Sequence, residues 1–217
     1  MGADRPLPAH RFFVVLALAS GATDAFGYLR LGGTFTSVMT GNMVLFAVAA
    51  AHTEGALVVR TALAICGYLA GAALGVRLAG AGYTATPART VRRLLWGELG
   101  LLVVYALVFQ VVGAPAQLWV QASMLVVAAI GLGMQSSAVQ SYGVSGLSTT
   151  FLTGTLTSVA VHLAQRKPLR HAQRSLLILG GLLAGACAAA ALALASPRAA
   201  ACLPAAFVAV ALGARGG

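Results

Sequence analysis

Apolar residues along this chain come in long unbroken blocks, and polar residues gather in short clusters between or at the ends of those blocks. Eight apolar segments fall near 11–30, 35–52, 56–79, 93–113, 118–139, 147–164, 174–196 and 199–214. A helix rises 1.5 Å per residue, so about 20 apolar residues cross a hydrocarbon core of about 30 Å. The second and sixth segments are shorter and carry FTSVMTGN (35–42) and STTFLTGT (148–155). The eighth is also short and contains Pro204. Clustered Thr, Ser and Asn beside Gly are costly in lipid, where every backbone polar group must find its partner inside the protein. The second and sixth segments are therefore predicted to be broken or re-entrant helices instead of full spans.

The two polar stretches lie 113 residues apart, and an ungapped comparison at that offset extends the likeness. Ala25/Ala138, Gly33/Gly146, Thr36/Thr149, Thr40/Thr153, Gly41/Gly154, Ala47/Ala160 and Val48/Val161 are identical, as are Leu63/Leu176, Ile65/Ile178, Gly67/Gly180 and Leu69/Leu182. Matches of Gly, Ala and Leu come cheaply in such a composition. A Thr-Gly pair with a second Thr four residues before its own Thr, in one register, carries more weight. One integral membrane domain over 1–217 is expected, built from repeats at 11–113 and 118–214.

Composition sets the class. Hydrophobic residues make up 59% of the chain and charged residues 8%, with a mean hydropathy of +0.90; a soluble domain carries roughly a quarter charged residues. The net charge of +10 does not point to nucleic acid, because the basic residues lie between apolar runs as they do in cytoplasmic loops. If all eight segments crossed, Arg77, Arg89, Arg92 and Arg93 would lie on the opposite side from Arg166, Lys167, Arg170 and Arg174. If the two polar segments enter and leave on one face, six spans remain. Then 11 of the 14 Lys and Arg residues lie inside, leaving Arg30, Arg60 and Arg198 outside. The first and fifth segments then cross in opposite directions, which makes the repeats inverted. The expected fold is thus an all-α membrane protein of six transmembrane helices and two re-entrant segments, with both termini cytoplasmic. Arg5 and Arg11 ahead of FFVVLALASGA resemble a cleavable leader, but the apolar run continues past Asp24 to Leu31, as an uncleaved span would.

Candidate chemistry centres on Asp24, read as the one acid deep in an apolar segment. Ser20, Thr23, Asp24, Gly27 and Tyr28 share a helix face, and Gly133, Ser136, Ser137, Gln140 and Ser141 form its counterpart 113 residues on. Two such stripes facing each other would line a cavity, with Asp24 the ion-coupling residue; a structural cap on the neighbouring re-entrant segment is the alternative. Thr36, Ser37, Thr40, Gly41 and Asn42, with Thr149, Thr150, Thr153, Gly154 and Thr155, would bind solute near helix N-termini, which favour anions, and Asp24 and Gln140 would join the same site. Hydroxyls that only pack the bundle are the alternative there. Gln135 and Gln140 are expected to point inward, Glu98 to be paired or solvated near the inner interface, and Arg30 to reach the outer surface. Gly67, Gly71, Gly75, Gly181 and Gly185 read as close-packing faces. Cys66, Cys187 and Cys202 read as small buried apolar residues. Neither these cysteines nor His52, His162 and His171 has metal-ligand spacing, and no nucleotide or hydrolase motif occurs, so no metal, cofactor or enzymatic activity is expected.

SGATDAFGYLRLGGTFTSVMTGN and, later, GMQSSAVQSYGVSGLSTTFLTGTLTS resemble the YoaK-like family of small bacterial membrane proteins, over nearly the whole chain. That resemblance implies about six spans in a bacterial inner membrane and supplies no substrate. The paired half-helices are also similar to the core of uracil and sulfate permeases. The resulting expectation is a secondary transporter of a polar or anionic small solute, with the bilayer as its surroundings and room for a homodimer. A passive facilitator or channel, or a non-transporting scaffold, are the rivals.

Overall fold

The computed structural model describes residues 10–80, 88–114, 117–141, 152–165 and 173–213, and among these it is all-helical. The helices are α1 (His10–Arg30), α2 (Met39–Ala51), α3 (Gly55–Ala79), α4 (Ala88–Val112), α5 (Leu118–Gln140), α6 (Leu152–Ala164), α7 (Gln173–Ala195) and α8 (Pro197–Gly213). Five of them, α1, α3, α4, α5 and α7, are long and apolar enough to cross a membrane, while α2 and α8 are shorter apolar helices. The apolar blocks anticipated the helix bounds closely, with two differences. Residues 35–38 are not helical, and α4 begins at Ala88, which takes Arg89, Arg92 and Arg93 into its first turns.

Contacts between named residues give the helix directions. A Cβ at Gly67 would meet Val126 O, and one at Gly71 would collide with Ile130 O, so α3 and α5 run parallel in close contact. Likewise Gly181 lies on Val14 O and Gly185 on Leu18 O, which sets α1 parallel to α7. In contrast, Gly27 approaches Leu125 while Gln135 Nε2 donates to Leu16 O at 3.4 Å, so α1 and α5 are antiparallel. Glycine is required at these crossings because the helix backbones themselves meet, as small-residue faces allow in membranes.

These contacts recur in matched sets. Gly21 of α1 lies on Leu182 O and Ala186 N of α7, and Gly133 of α5 lies on Tyr68 O and Ala72 N of α3. The α1 and α5 members differ by 112 in number and the α3 and α7 members by 114. The single 113-residue offset is therefore one residue out for both helix pairs, and in the contact register Asp24 corresponds to Ser136. Exchanging α1–α4 with α5–α8 maps every packed helix pair onto a packed pair, for example α4·α5 onto α8·α1 and α2·α3 onto α6·α7.

One end of the bundle collects the C-terminal ends of α1, α4 and α7 with the N-terminal ends of α3, α5 and α8. Arg30 Nη2 donates to Ala193 O at 2.6 Å, Arg60 Nη1 to Gln121 Oε1 at 3.0 Å, and Gln110 Nε2 to Arg198 O at 2.8 Å. Arg30 thus binds a neighbouring helix end instead of simply reaching for the surface. The three cysteines are free and exposed on the bundle's flanks, contrary to the expectation of burial. In a lipid-facing bundle, apolar character no longer implies an interior position, since the outer faces are apolar too.

Candidate functional site: a polar turn fastened to Asp24

At its C-terminal end α1 is closed by Gly33 N–H donating to Tyr28 O at 3.0 Å, and Gly32 and Gly33 adopt φ of 86° and 75°. Left-handed glycines are the usual device for ending a helix and reversing the chain. A side chain at Gly32 would also run into the Arg60 guanidinium, so the first turns of α3 lie at the same end of the bundle. From that turn the chain descends beside α1 to Asp24. Asp24 lies six residues inside α1, or about 9 Å along the axis at 1.5 Å per residue.

Four donors from two consecutive residues converge on the Asp24 carboxylate. Oδ1 accepts from Thr36 N at 2.7 Å, Thr36 Oγ1 at 2.9 Å and Ser37 N at 2.7 Å, and Oδ2 accepts from Ser37 Oγ. Ser20 Oγ and Ser37 Oγ share a further bond at 3.1 Å, and Thr23 Oγ1 donates to Ala19 O at 2.7 Å. Asp24, Ser20, Thr23, Thr36 and Ser37 are all buried. Asn42 closes the turn from its other side. Its Nδ2 donates to Phe35 O at 2.7 Å, and its Oδ1 accepts from Phe35 N at 3.0 Å. α2 then starts at Met39, with no side-chain cap on its first turn.

A carboxylate offers about four lone-pair sites, so the chain's own donors take up Asp24's accepting capacity. The turn was expected to bind an anion, and the acid its donors meet is Asp24 of the same chain. The same contacts are those of a cap on the turn that precedes α2.

The other expected site residues are only partly gathered here. Thr40 is exposed and Gly41 half-buried against Phe35 and Val38, outside the Asp24 network. Gln135 is buried, but Gln140 is exposed in the last turn of α5 and does not point inward as expected. Thr149 and Thr150 lie outside the described residues. Thr153, Gly154 and Thr155 fall in α6, where Gly154 is exposed and the side chains of the two threonines are not among those described. A groove of about 430 Å³ runs between α1, α7 and the turn, lined by Asp24, Tyr28, Phe35, Val38, Leu182 and Cys187 among others. Tyr28 and Phe35 stack there with centroids 5.1 Å apart. The lining is largely apolar, unlike the polar cavity expected between the two stripes.

Glu98 differs from its expectation of a paired or solvated charge near the inner interface. It is 0% exposed, and both of its carboxyl oxygens lack a hydrogen-bond partner among the described residues. No described residue pairs with it, and Asp24 is therefore not the only acid deep in an apolar segment. The signal was present in its position on a helix face with Leu94, Leu95 and Leu102, all buried.

Apolar helices of spanning length, close-packed through glycine and interrupted by a fastened polar turn, define a multi-pass helical membrane protein. Residues 12–214 match the family described as protein of unknown function (DUF1275), and the chain belongs to that family. It is also 31% identical over 153 residues to the UPF0700 transmembrane protein YoaK of Bacillus subtilis (strain 168). The match covers 70% of this chain and 66% of that relative. No solved structure matches the chain.

Proposed function

We propose that this protein is a small secondary transporter of the inner membrane, six-spanning and with cytoplasmic termini, that carries a polar or anionic small solute between two inverted repeats. The observation that carries this reading is the re-entrant turn. α1 ends and α3 begins at one end of the bundle, while the intervening chain turns back about 9 Å to Asp24's depth. Non-helical backbone at such depth is tolerated where protein or a water-filled cavity surrounds it, and transporters place their sites at broken helices of this kind. The matched glycine contacts, together with antiparallel α1 and α5, support the inverted repeat. By the charge argument, α6 enters from the opposite face.

The two halves are unequal in a way that bears on the solute. Asp24 supplies a carboxylate to the first turn, whereas its counterpart Ser136 supplies none. An incoming anion is therefore assigned to the second repeat, toward Thr149, Thr150, Thr153, Gly154 and Thr155, with Gln140 at the end of α5. Thr36, Ser37 and Asn42 shape the first turn, and Thr40 and Gly41 follow it on α2. Uptake assays on purified protein in vesicles test this, using inorganic sulfate, a monocarboxylate, uracil and a neutral polyol as probes. Saturable uptake of one probe, reduced at least tenfold in Thr153→Val, is the expected outcome. Protein-independent leakage of all four, under either an imposed proton or an imposed Na⁺ gradient, would overturn it.

A further inference from the structure

Glu98 lies ten residues inside α4, about 15 Å from Ala88, near the middle of a hydrocarbon core of about 30 Å. Across from it is Gly131 of α5, where an added Cβ would sit 3.5 Å from Glu98 Cγ and 3.7 Å from Leu101 Cβ. The helices packed on α4 are α5, α8 and α3. No titratable residue occurs on α5. Those of α8, Arg198 and Cys202, belong to its first turns at the far end of the bundle. On α3, Arg60 bonds Gln121 at that same far end, Cys66 and Arg77 are exposed, and Tyr68 is buried. On α4 itself Arg92 and Arg93 are exposed, and Tyr105 lies two turns away with its ring 6.0 Å from that of Phe26. On α1, Asp24 is engaged by Thr36 and Ser37.

A carboxylate stripped of water and left without partners costs several kcal/mol, whereas a bound proton removes that charge outright. A metal ion would need several more oxygen ligands, and no group of three or more His, Cys, Asp or Glu occurs among the described residues.

We infer that the Glu98 carboxyl is a proton-binding site at the middle of the bundle and the group through which a proton enters the transport cycle, taking the coupling role expected of Asp24. Its place in a cycle rests on the transport reading; its proton does not. With the proton on, the neutral acid fits the closed α4–α5 contact. With the proton off, the charge requires water, and the contact has to open where Gly131 leaves room. The proton thus biases a two-state packing.

Infrared difference spectra of the full chain in lipid vesicles, stepped from mildly acidic to alkaline buffer, test the site. The expected result is the carbonyl stretch of a protonated carboxyl that shifts in D₂O and disappears on the alkaline side. It should be absent in Glu98→Gln, retained in Asp24→Asn and moved in frequency in Glu98→Asp. The Glu98→Asp variant keeps the test informative if the amide fails to fold. A band that persists in Glu98→Gln, never titrates, or is missing from the unaltered protein would overturn the inference. Solute uptake in the same vesicles separates the two readings. A titrating band without uptake leaves the proton site standing and ends the transport reading, and uptake without a band does the reverse.

Discussion

Asp24→Asn asks whether the acid in the first span is a fastener. In the folded chain, Oδ1 takes three donors at 2.7–2.9 Å and Oδ2 takes the Ser37 hydroxyl. An asparagine whose oxygen replaces Oδ1 keeps three of those bonds, but each becomes a bond between neutral groups. Net values are about 1.5–3 kcal/mol for bonds to charged groups and about 0.5–1.5 for neutral ones, so roughly 1 kcal/mol is lost on each. The amide NH₂ then faces Ser37 Oγ, which can turn to accept and pass its hydrogen to Ser20, limiting the fourth loss. A cost of about 3 kcal/mol follows, less whatever is regained by burying no charge. Asp24→Leu strands all four donors, two of them backbone N–H groups, and should cost more than about 4 kcal/mol at about 1–3 each. Hydrogen exchange by mass spectrometry in detergent or vesicles reads the effect where it acts. Amide exchange across residues 31–38 should speed up about a hundredfold in Asp24→Asn, since about 1.4 kcal/mol is a factor of ten. Helices α4 and α5 should be little changed. Unaltered protection of this segment in both variants would refute the fastener and return Asp24 to the pool of free acids.

The matched glycine contacts make Gly71→Ala and Gly185→Ala equivalent lesions. Each new methyl meets a carbonyl oxygen of a neighbouring helix, costing about 1–3 kcal/mol of overpacking against a gain of up to about 1 in helix propensity. Gly180→Ala, with open space around it, should be neutral or stabilising; equal melting temperatures for all three would sink the close-contact argument. Thr53, the one described non-glycine residue at positive φ (59°), joins α2 to α3, so Thr53→Gly should stabilise the protein by about 1 kcal/mol in thermal unfolding. With the native cysteines replaced by serine, cysteines at Thr53 and Gln165 should react with an impermeant maleimide from opposite sides of the membrane. Labelling from one side would exclude inverted re-entrant segments.

The elements legible in the chain were those the bilayer itself dictates. A membrane sets the length of an apolar helix, so blocks of about 20 residues located α1, α3, α4, α5 and α7. Backbone that cannot be helical must carry its own donors, so FTSVMTGN announced the turn before α2. Asp24 stood out because a lone acid among apolar residues is conspicuous. Glu98 did not, because it follows Arg92 and Arg93 and resembles an interfacial charge. Starting α4 at Ala88 instead of near residue 93 carries it more than a turn deeper, and only the packing of α5 across it shows that no described residue answers it. Gln140 and the cysteines were misjudged for a related reason. Which face of an apolar helix meets lipid and which meets protein is written in contacts, not in hydropathy.

The likeness between the two halves divides along the same line. Shared Thr-Gly pairs at a fixed spacing are what suggest a doubled chain, since identity at a fixed spacing survives in one dimension. An ungapped offset, however, averages two different registers and pairs Asp24 with the wrong serine. The backbone collisions that demand Gly67, Gly71, Gly181, Gly185, Gly21 and Gly133 recover both registers, because a helix crossing tolerates no residue of slippage. Membrane residence, the helical blocks and the polar interruptions were therefore determined by the sequence alone, through the cost of polar groups in lipid. The pairing of Asp24 with Thr36 and Ser37, and the solitude of Glu98, were decided by the tertiary structure. A hydrogen bond depends on where two atoms meet, and residues far apart in the chain meet only in the fold.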